Sequence, residues 1–250
     1  MSKSAIVSQI KTLVSLATYN ESENLPLLVE EIHSVAEDLD ILVIDDNSPD
    51  GTGKLADELA ASDNRIHVLH RTEKLGLGTA TVAAFQWAIE QQYDCLLNMD
   101  ADFSHHPRYI PDMLDAVKDV DVAIGSRYVE GGGVVGWGWR RKWMSAAINY
   151  YARFFLRLPI RDTSGAYRCY RLEKLREFDF SKVRSRGYSF QEEMLFHYLL
   201  LNANFHEVPI IFEDRRAGES KINGSEAISA LWILFRLGIR FRLLGRGSLG

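Results

Sequence analysis

The chain has 250 residues, 46% of them hydrophobic and 25% charged, with a formal net charge of −5. Those proportions belong to an ordinary soluble globular protein, long enough to bury a substantial core as one large domain or one domain with an appendage. The acidic balance argues against nucleic acid as the main partner. Two isolated cysteines, Cys95 and Cys169, outside any CxxC pattern, point to a reduced compartment and against a thiolate metal site.

The opening MSKSAIVSQIKT lacks a long apolar region, and no stretch reaches the ~18 uninterrupted apolar residues of a membrane span. Residues 12–17 and 39–44 are short, branched apolar runs leading into polar turns, which predicts buried parallel strands. Between them, residues 25–39 have helical spacing, with Asn24 as the expected N-cap and Pro26 tolerated in the first turn. The turn SPDGTG precedes a predicted helix around residues 54–61 and a strand at 66–69. GLGTATVAAFQWAIEQQ reads as a Gly-led loop running into a helix. A fourth strand, residues 93–99, ends on the paired aspartates of NMDADFSHHP, residues 98–107. Residues 110–118 look helical, and a fifth strand, 120–124, leads into GSRY.

This alternation predicts the α/β class, with a doubly wound, mostly parallel, Rossmann-like sheet. Ligands of such sheets bind beyond the carboxyl ends of the strands. TYNE, DDNS, DAD and GSR all fall there, so they are expected to line one crevice. The second half is less regular. Residues 131–138 look flexible, 143–158 form an aromatic helix, and DTSGAYRCY precedes GYSFQEEML, which opens another helix. Residues 208–212 read as a strand, and the loop EDRRAGESKING leads into a C-terminal amphipathic helical segment. The expected division is a principal domain, 1–225, and that segment, 226–250.

Asp100 and Asp102 stand one residue apart and raise each other's pKa unless a cation sits between them. Hard ions such as Mg²⁺ take one or two carboxylates plus substrate phosphates. A lone DxD is no more than an acidic turn, but the motifs around it favour a metal–diphosphate bridge. Of Asp45 and Asp46, one can cap the following turn while the other accepts from a ribose hydroxyl or a base N–H. GLGTAT imitates GxGxxG but ends on Thr81 and lacks an acidic residue at the right distance, so a dinucleotide site is disfavoured. Arg127 ends the fifth strand, and Arg141 and Ser145 share one helical face. Arg215 and Lys221 sit in a Gly-containing loop able to fold over the crevice. Cations beside an acidic metal site point to a second anion held close to the first. His105 and His106 are expected to pack or support and not to ligate.

The set TYNE, DDNSPDGT, GLGTA, DADFSHHP, GSRY, DTSGAYRCY and RRAGESK, in this order over residues 12–222, resembles the family-two glycosyltransferases of the GT-A fold. Within them it is most similar to the polyprenol-phosphate (dolichol-phosphate) mannosyltransferases. The resemblance implies transfer of mannose from GDP-mannose to the phosphate of a polyprenyl lipid, with inversion at the anomeric carbon. It implies nucleoside contacts from Tyr19, Glu21 and Asp46. Asp100 and Asp102 would handle a divalent metal (Mg²⁺ or Mn²⁺) and the diphosphate, Asp102 most directly. Arg127, Arg141 and Ser145 would hold the acceptor phosphate, and Arg215 and Lys221 would close over the donor. Asp102, Arg127 and Arg215 make up the catalytic set. Two departures stand out: Ala17 replaces a usual proline, and Ser104 stands where glutamine is frequent.

Trp137, Trp139, Trp143, Tyr150, Tyr151, Phe154 and Phe155 lie among Arg140, Arg141, Lys142 and Arg153. That mixture suits a membrane interface, although a core position serves Tyr150 or Phe154 equally well. Residues 228–244 put Arg236 and Arg240 on one face. They read as a helix lying on a membrane or docking on a membrane-anchoring partner subunit, so a peripheral, cytoplasmic-face location is expected. Rival readings are a sugar-hydroxyl acceptor with Glu192 or Glu193 as base, a different donor such as UDP-glucose or an aminosugar nucleotide, a non-catalytic nucleotide-sugar or lipid-phosphate binding module, and a dehydrogenase-like nucleotide fold.

Overall fold

The branched apolar runs of the first half form β1 (Thr12–Thr18), β2 (Asp40–Asp45), β3 (Ile66–His70) and β4 (Cys95–Asp100). Successive Val, Ile and Leu suit strands covered on both faces, and nearly every residue of β1 and β2 is buried. Helices α1 (Leu25–Val35), α2 (Thr52–Ser62), α3 (Leu77–Glu90) and α4 (Ile110–Ala116) alternate with them, and β5 (Val122–Ser126) follows. The computed structural model describes residues 10–185, 187, 189–214 and 231–239.

The later elements are β6 (Gly133–Val135), α5 (Trp139–Leu156), β7 (Arg168–Arg171), α6 (Phe190–Leu200), β8 (Phe205–Pro209) and β9 (Ile211–Glu213). Among the described residues the main sheet has seven strands, in the order β3-β2-β1-β4-β7-β5-β8. It is the expected mixed α/β sheet, parallel except for β7, which runs antiparallel between β4 and β5. One layer of core joins Phe85, Tyr170, Phe190, Phe196 and Tyr198, and the other joins Leu25, Ile32, Met113 and Tyr167. Cys95 and Cys169 are free thiols buried in the sheet.

Local departures from the expected elements have physical causes. The first helix stops at Val35, where Ala36 leaves helical backbone, and the second strand therefore starts at Asp40. Asn24 occupies the N-cap position without capping, because its side chain donates to Glu21 Oε2 at 2.8 Å. Residues 208–212 divide between two strands, since β8 pairs with β5 while β9 turns away to pair with β6. Residues 131–138 are thus not simply flexible. Gly136 has φ +85, in the left-handed region where glycine is at ease, and that turn delivers Trp137.

Residues 231–239 are helical and lie against α5. The Phe155 and Phe235 rings meet at 5.4 Å, and Tyr151 Oη donates to the Leu231 carbonyl. Gly238 makes the approach feasible, because a Cβ there would stand 2.6 Å from the Phe155 carbonyl oxygen. Among the described residues no helix is long and apolar enough to cross a membrane.

Candidate functional site

The parallel strands β1, β2, β4 and β5 all end at one edge of the sheet, on Thr18, Asp45, Asp100 and Ser126. The two neighbouring aspartates after β2 have separate jobs. Asp45 takes the Ser48 N–H at 3.1 Å and the Ser48 hydroxyl at 2.5 Å, so it closes its own turn. Asp46 instead meets Arg71, with Nε 2.9 Å from Oδ1 and Nη2 donating to Oδ2 at 3.3 Å. The shorter approach lacks hydrogen-bond alignment and is an ion-pair contact. Burial pushes the Asp46 pKa up, against the pull of Arg71, and the net shift is upward.

Arg71 was invisible to the sequence reading, since no motif singles it out. Its Nη2 also donates to Thr79 Oγ1 at 2.9 Å, while Nη1 is buried without a hydrogen-bond partner among the described residues. Beside this pair stands Tyr19, over whose ring Lys74 Nζ lies at 4.0 Å. Glu21 is tied to α2 through its own N–H, which donates to Thr52 Oγ1 at 2.9 Å. The candidate nucleoside residues Tyr19, Glu21 and Asp46 therefore sit on adjoining turns.

At the end of β4 the chain makes a tight, strained turn. Phe103 is buried with φ 61, a left-handed conformation that costs a non-glycine residue about 1–2 kcal/mol. Strain held in place at a strand end is characteristic of functional loops. The turn lets Asp102 Oδ1 accept both the N–H and the hydroxyl of Ser104, at 3.0 and 2.6 Å. Ser104, the departure noted above, thus anchors Asp102. His105 Nδ1 accepts the Asp100 N–H at 3.1 Å, which leaves its proton on Nε2. Its 3.5 Å approach to Asp100 Oδ2 is then not an ion pair, because burial holds the His105 pKa below its ordinary value. Stacked on Tyr167 at 5.1 Å, His105 is a packing residue, as expected.

Asp100 and Asp102 offer hard oxygen donors, which fit a divalent ion. Among the described residues no group of three or more His, Cys, Asp and Glu gathers as a metal site. An ion that shares its coordination with substrate phosphates needs only these two.

Beyond β5 the cations are held by long-range partners. Arg127 donates from Nε to Asp162 Oδ2 at 2.7 Å and from Nη2 to Oδ1 at 2.6 Å, with Ser164 Oγ 2.9 Å from Nη2. The pair is almost wholly buried. Burial drives the Asp162 pKa upward, but the charge and hydrogen bonds of Arg127 outweigh it, and the net shift is down. Arg141 Nη1 donates to Asp214 Oδ1 at 2.9 Å, and its guanidinium lies 4.1 Å from the Trp137 ring. Ser145 Oγ accepts from Tyr128 Oη at 2.7 Å. Arg215 and Lys221 lie outside the described residues.

Phe212 joins the two sides. Its ring meets His105 at 5.4 Å and Trp137 at 5.4 Å, and the Arg127 guanidinium lies 5.6 Å from it. The acidic turn after β4 and the arginines beyond β5 are therefore one packed neighbourhood.

The two glutamates that open α6 differ. Glu193 accepts the N–H groups of Arg184 and Ser185 and pins the preceding loop. Glu192 is buried beside Arg168, Asp162 and Arg127, and desolvation pushes its pKa up to about 7. Its Oε2 has no hydrogen-bond partner among the described residues.

The aromatic helix sorts the expected interface residues. Trp139, Trp143, Tyr150 and Phe154 are 53–74% exposed, and Trp232 is 58% exposed on the adjoining helix. Trp137 packs instead against Phe212 and Arg141, and Tyr151 and Phe155 pack beneath residues 231–239.

A sequence profile described as "Glycosyl transferase family 2" matches residues 14–179. Polyprenol monophosphomannose synthase of Mycolicibacterium smegmatis is 48% identical over 235 residues, 93% of this chain and 89% of that protein. Undecaprenyl-phosphate mannosyltransferase of Micrococcus luteus is 44% identical over 242 residues, 96% of this chain and 100% of that one. Among solved structures, mannosyltransferase PcManGT of Pyrobaculum calidifontis, in complex with GDP-Man and Mn²⁺, superposes with a TM-score of 0.60 at 17% identity. That likeness covers 92% of this chain and 64% of the other, so the chain spans slightly less than two thirds of that structure. S. aureus TarS with UDP-GlcNAc gives a TM-score of 0.58 at 18% identity, covering 92% and 66%.

Proposed function

This chain belongs to glycosyl transferase family 2 and is a glycosyltransferase with the GT-A fold, and from that premise we propose that it transfers mannose from GDP-mannose to a polyprenyl phosphate, with inversion. The observation that carries the reading is the shared packing around Phe212, which brings an acidic strand end beside a set of anchored arginines. The names of the two curated relatives support the same donor sugar and acceptor class.

On this reading Tyr19, Glu21, Asp46 and Arg71 receive the nucleoside, and the buried Nη1 of Arg71 finds its partner there. Asp100 and Asp102 would hold Mg²⁺ or Mn²⁺, which would supply charge neutralisation to the departing diphosphate. Arg127, Arg141 and Ser145 take the acceptor phosphate, Arg127 presenting the edge of its guanidinium that Asp162 leaves open. Arg215 and Lys221 close over the donor. A phosphate monoester has its second pKa near ~6 and is largely dianionic at neutral pH. Such a nucleophile needs positioning and charge shielding, not a general base. Attack from the face opposite the leaving diphosphate gives inversion.

The lipid reaches this crevice along α5. That helix carries Arg140, Arg141, Lys142 and Arg153 and no acidic residue, although the whole chain is net negative. Cations mixed with exposed tryptophans fit an anionic bilayer surface. Residues 231–239, packed on α5, continue the same face, and a membrane-anchoring subunit is compatible with it. The resulting location is peripheral, on the cytoplasmic face.

One observation favours a hydroxyl acceptor instead: Glu192, raised to about 7, has the pKa of a general base. A donor and acceptor panel tests the proposal. Labelled GDP-mannose with Mg²⁺ and a short polyprenyl phosphate should yield lipid-linked mannose. Faster transfer from UDP-glucose or UDP-GlcNAc, or to a free sugar, would overturn it.

A further inference from the structure

Asp162 holds Arg127, but Asp162 is itself held. Its N–H donates to Glu207 Oε1 at 2.9 Å, and the adjacent Arg161 N–H donates to Glu207 Oε2 at 2.8 Å. Ser126 Oγ, one residue before Arg127, donates to the same Oε1 at 2.7 Å. A single carboxylate on the edge strand β8 thereby fastens both stems of the arginine pair, the end of β5 and the 161–162 turn. Register explains how it can, since Glu207 lies opposite Ile124 on the parallel neighbour.

Asp162 in turn uses both oxygens on the loop it serves. Oδ2 accepts the Arg127 N–H at 2.9 Å and Nε at 2.7 Å, while Oδ1 accepts Nη2 at 2.6 Å and the Gly165 N–H at 3.1 Å. Nη1 is the guanidinium nitrogen left without a hydrogen bond among the described residues. The arginine is therefore fixed along one edge, while the other makes no hydrogen bond among the described residues.

Resting on the reading that Arg127 takes the acceptor phosphate, we infer that Glu207 is a positioning residue for that arginine, acting through Asp162 and Ser126 to aim Nη1 at a phosphate monoester. A planar fork serves a phosphate only when its direction is set, and small misplacements of a positioning group cost rate steeply. Asp162 can set the direction only if its own backbone stays put. No other described group accepts the N–H groups of Arg161 and Asp162. Glu207 contacts neither substrate on this account. No motif announces it either, since Glu207 stands just before residues 208–212, which read as a strand.

Steady-state kinetics with GDP-mannose and a short polyprenyl phosphate test the inference. Glu207→Ala should raise the acceptor KM about tenfold, the scale of lost hydrogen bonds to a charged group, with the donor KM and GDP affinity unchanged. Glu207→Gln, which keeps one carbonyl acceptor, should recover part of that loss. In an Arg127→Ala background Glu207→Ala should add nothing, since residues acting through one another are not additive. Equal loss on both substrates, or full additivity with Arg127→Ala, would overturn the positioning role. If Glu207→Ala does not fold, Glu207→Gln alone and in the Arg127→Ala background decides by the same criteria. A wild-type protein that makes no mannolipid would instead remove the acceptor phosphate, and the inference with it.

Discussion

The acidic turns after β2 and β4 and the arginines beyond β5 are fastened differently. On the β1, β2 and β4 side, the acidic turns close on themselves: Ser48 reaches Asp45 three residues back, and Ser104 reaches Asp102 two residues back. Glu21 and Asp46 there reach Thr52 and Arg71, 31 and 25 residues away. On the β5 and β8 side, among the described residues, the key groups lean on distant segments. Arg127 and Asp162 are 35 residues apart, Arg141 and Asp214 are 73 apart, and Ser126 and Glu207 are 81 apart. A locally closed turn survives changes elsewhere, whereas a site assembled from four segments depends on all of them. The Asp100–Asp102 turn should therefore tolerate substitution elsewhere better than the arginines of the acceptor side.

The largest expected effect falls on the donor side. Asp102→Ala should lower turnover by about a hundredfold to a thousandfold, as removal of a preorganised charge does. Calorimetry with GDP-mannose should show the Mg²⁺-dependent part of its affinity gone. Unchanged Mg²⁺-dependent binding would contradict the role given to Asp102.

Next comes Glu192, buried beside the Arg127–Asp162 pair. Glu192→Gln should keep the rate within about threefold if the nucleophile is a phosphate, whereas loss of a true base costs about 10²–10⁴-fold. The same variant sharpens the electrostatics. A carboxyl raised from 4.5 to about 7 by burial stabilises the fold fully below pH 4.5, and that contribution is lost as pH rises through 7. The loss is on the order of 3 kcal/mol. Thermal unfolding of Glu192→Gln relative to wild type should therefore shift upward as pH increases from 5 to 8. A pH-independent difference would mean the carboxyl titrates normally.

The smallest effect concerns the outer face. Replacing Trp143 and Trp232 together by Ala should weaken co-sedimentation with anionic vesicles about tenfold, since each buries only one aromatic ring at the interface. Turnover of a short soluble acceptor should stay within about twofold. Equal vesicle binding would remove this face from the lipid's path.

The same contrast explains what could be read from the chain. β1, β2 and the Asp100–Asp102 turn were legible because their signals are local: branched runs, then polar turn residues. β7 was not, because four residues including two arginines carry no strand pattern, and Arg168 is buried by bonding the carbonyls of Thr163 and Gln191. The split of residues 208–212 into β8 and β9 depends on which neighbours each finds, which no local rule encodes. Arg71 and Glu207 escaped for that reason too, and Asp162, though it opens the DTSGAYRCY motif, carried no assigned role. Conversely, spacing alone did place Arg141 and Ser145 on one helix, and composition did mark the aromatic face, though not which rings would turn inward.

The central claim is that one crevice holds a metal-bridged leaving group next to a lipid's anionic headgroup. Mn²⁺ relaxation of ³¹P resonances tests it directly, with GDP and a short polyprenyl phosphate bound together. The account predicts strong paramagnetic broadening of the acceptor phosphate signal in the wild-type protein and its loss in Asp102→Ala. A bound acceptor whose signal stays sharp while Mn²⁺ and GDP occupy the protein would contradict it.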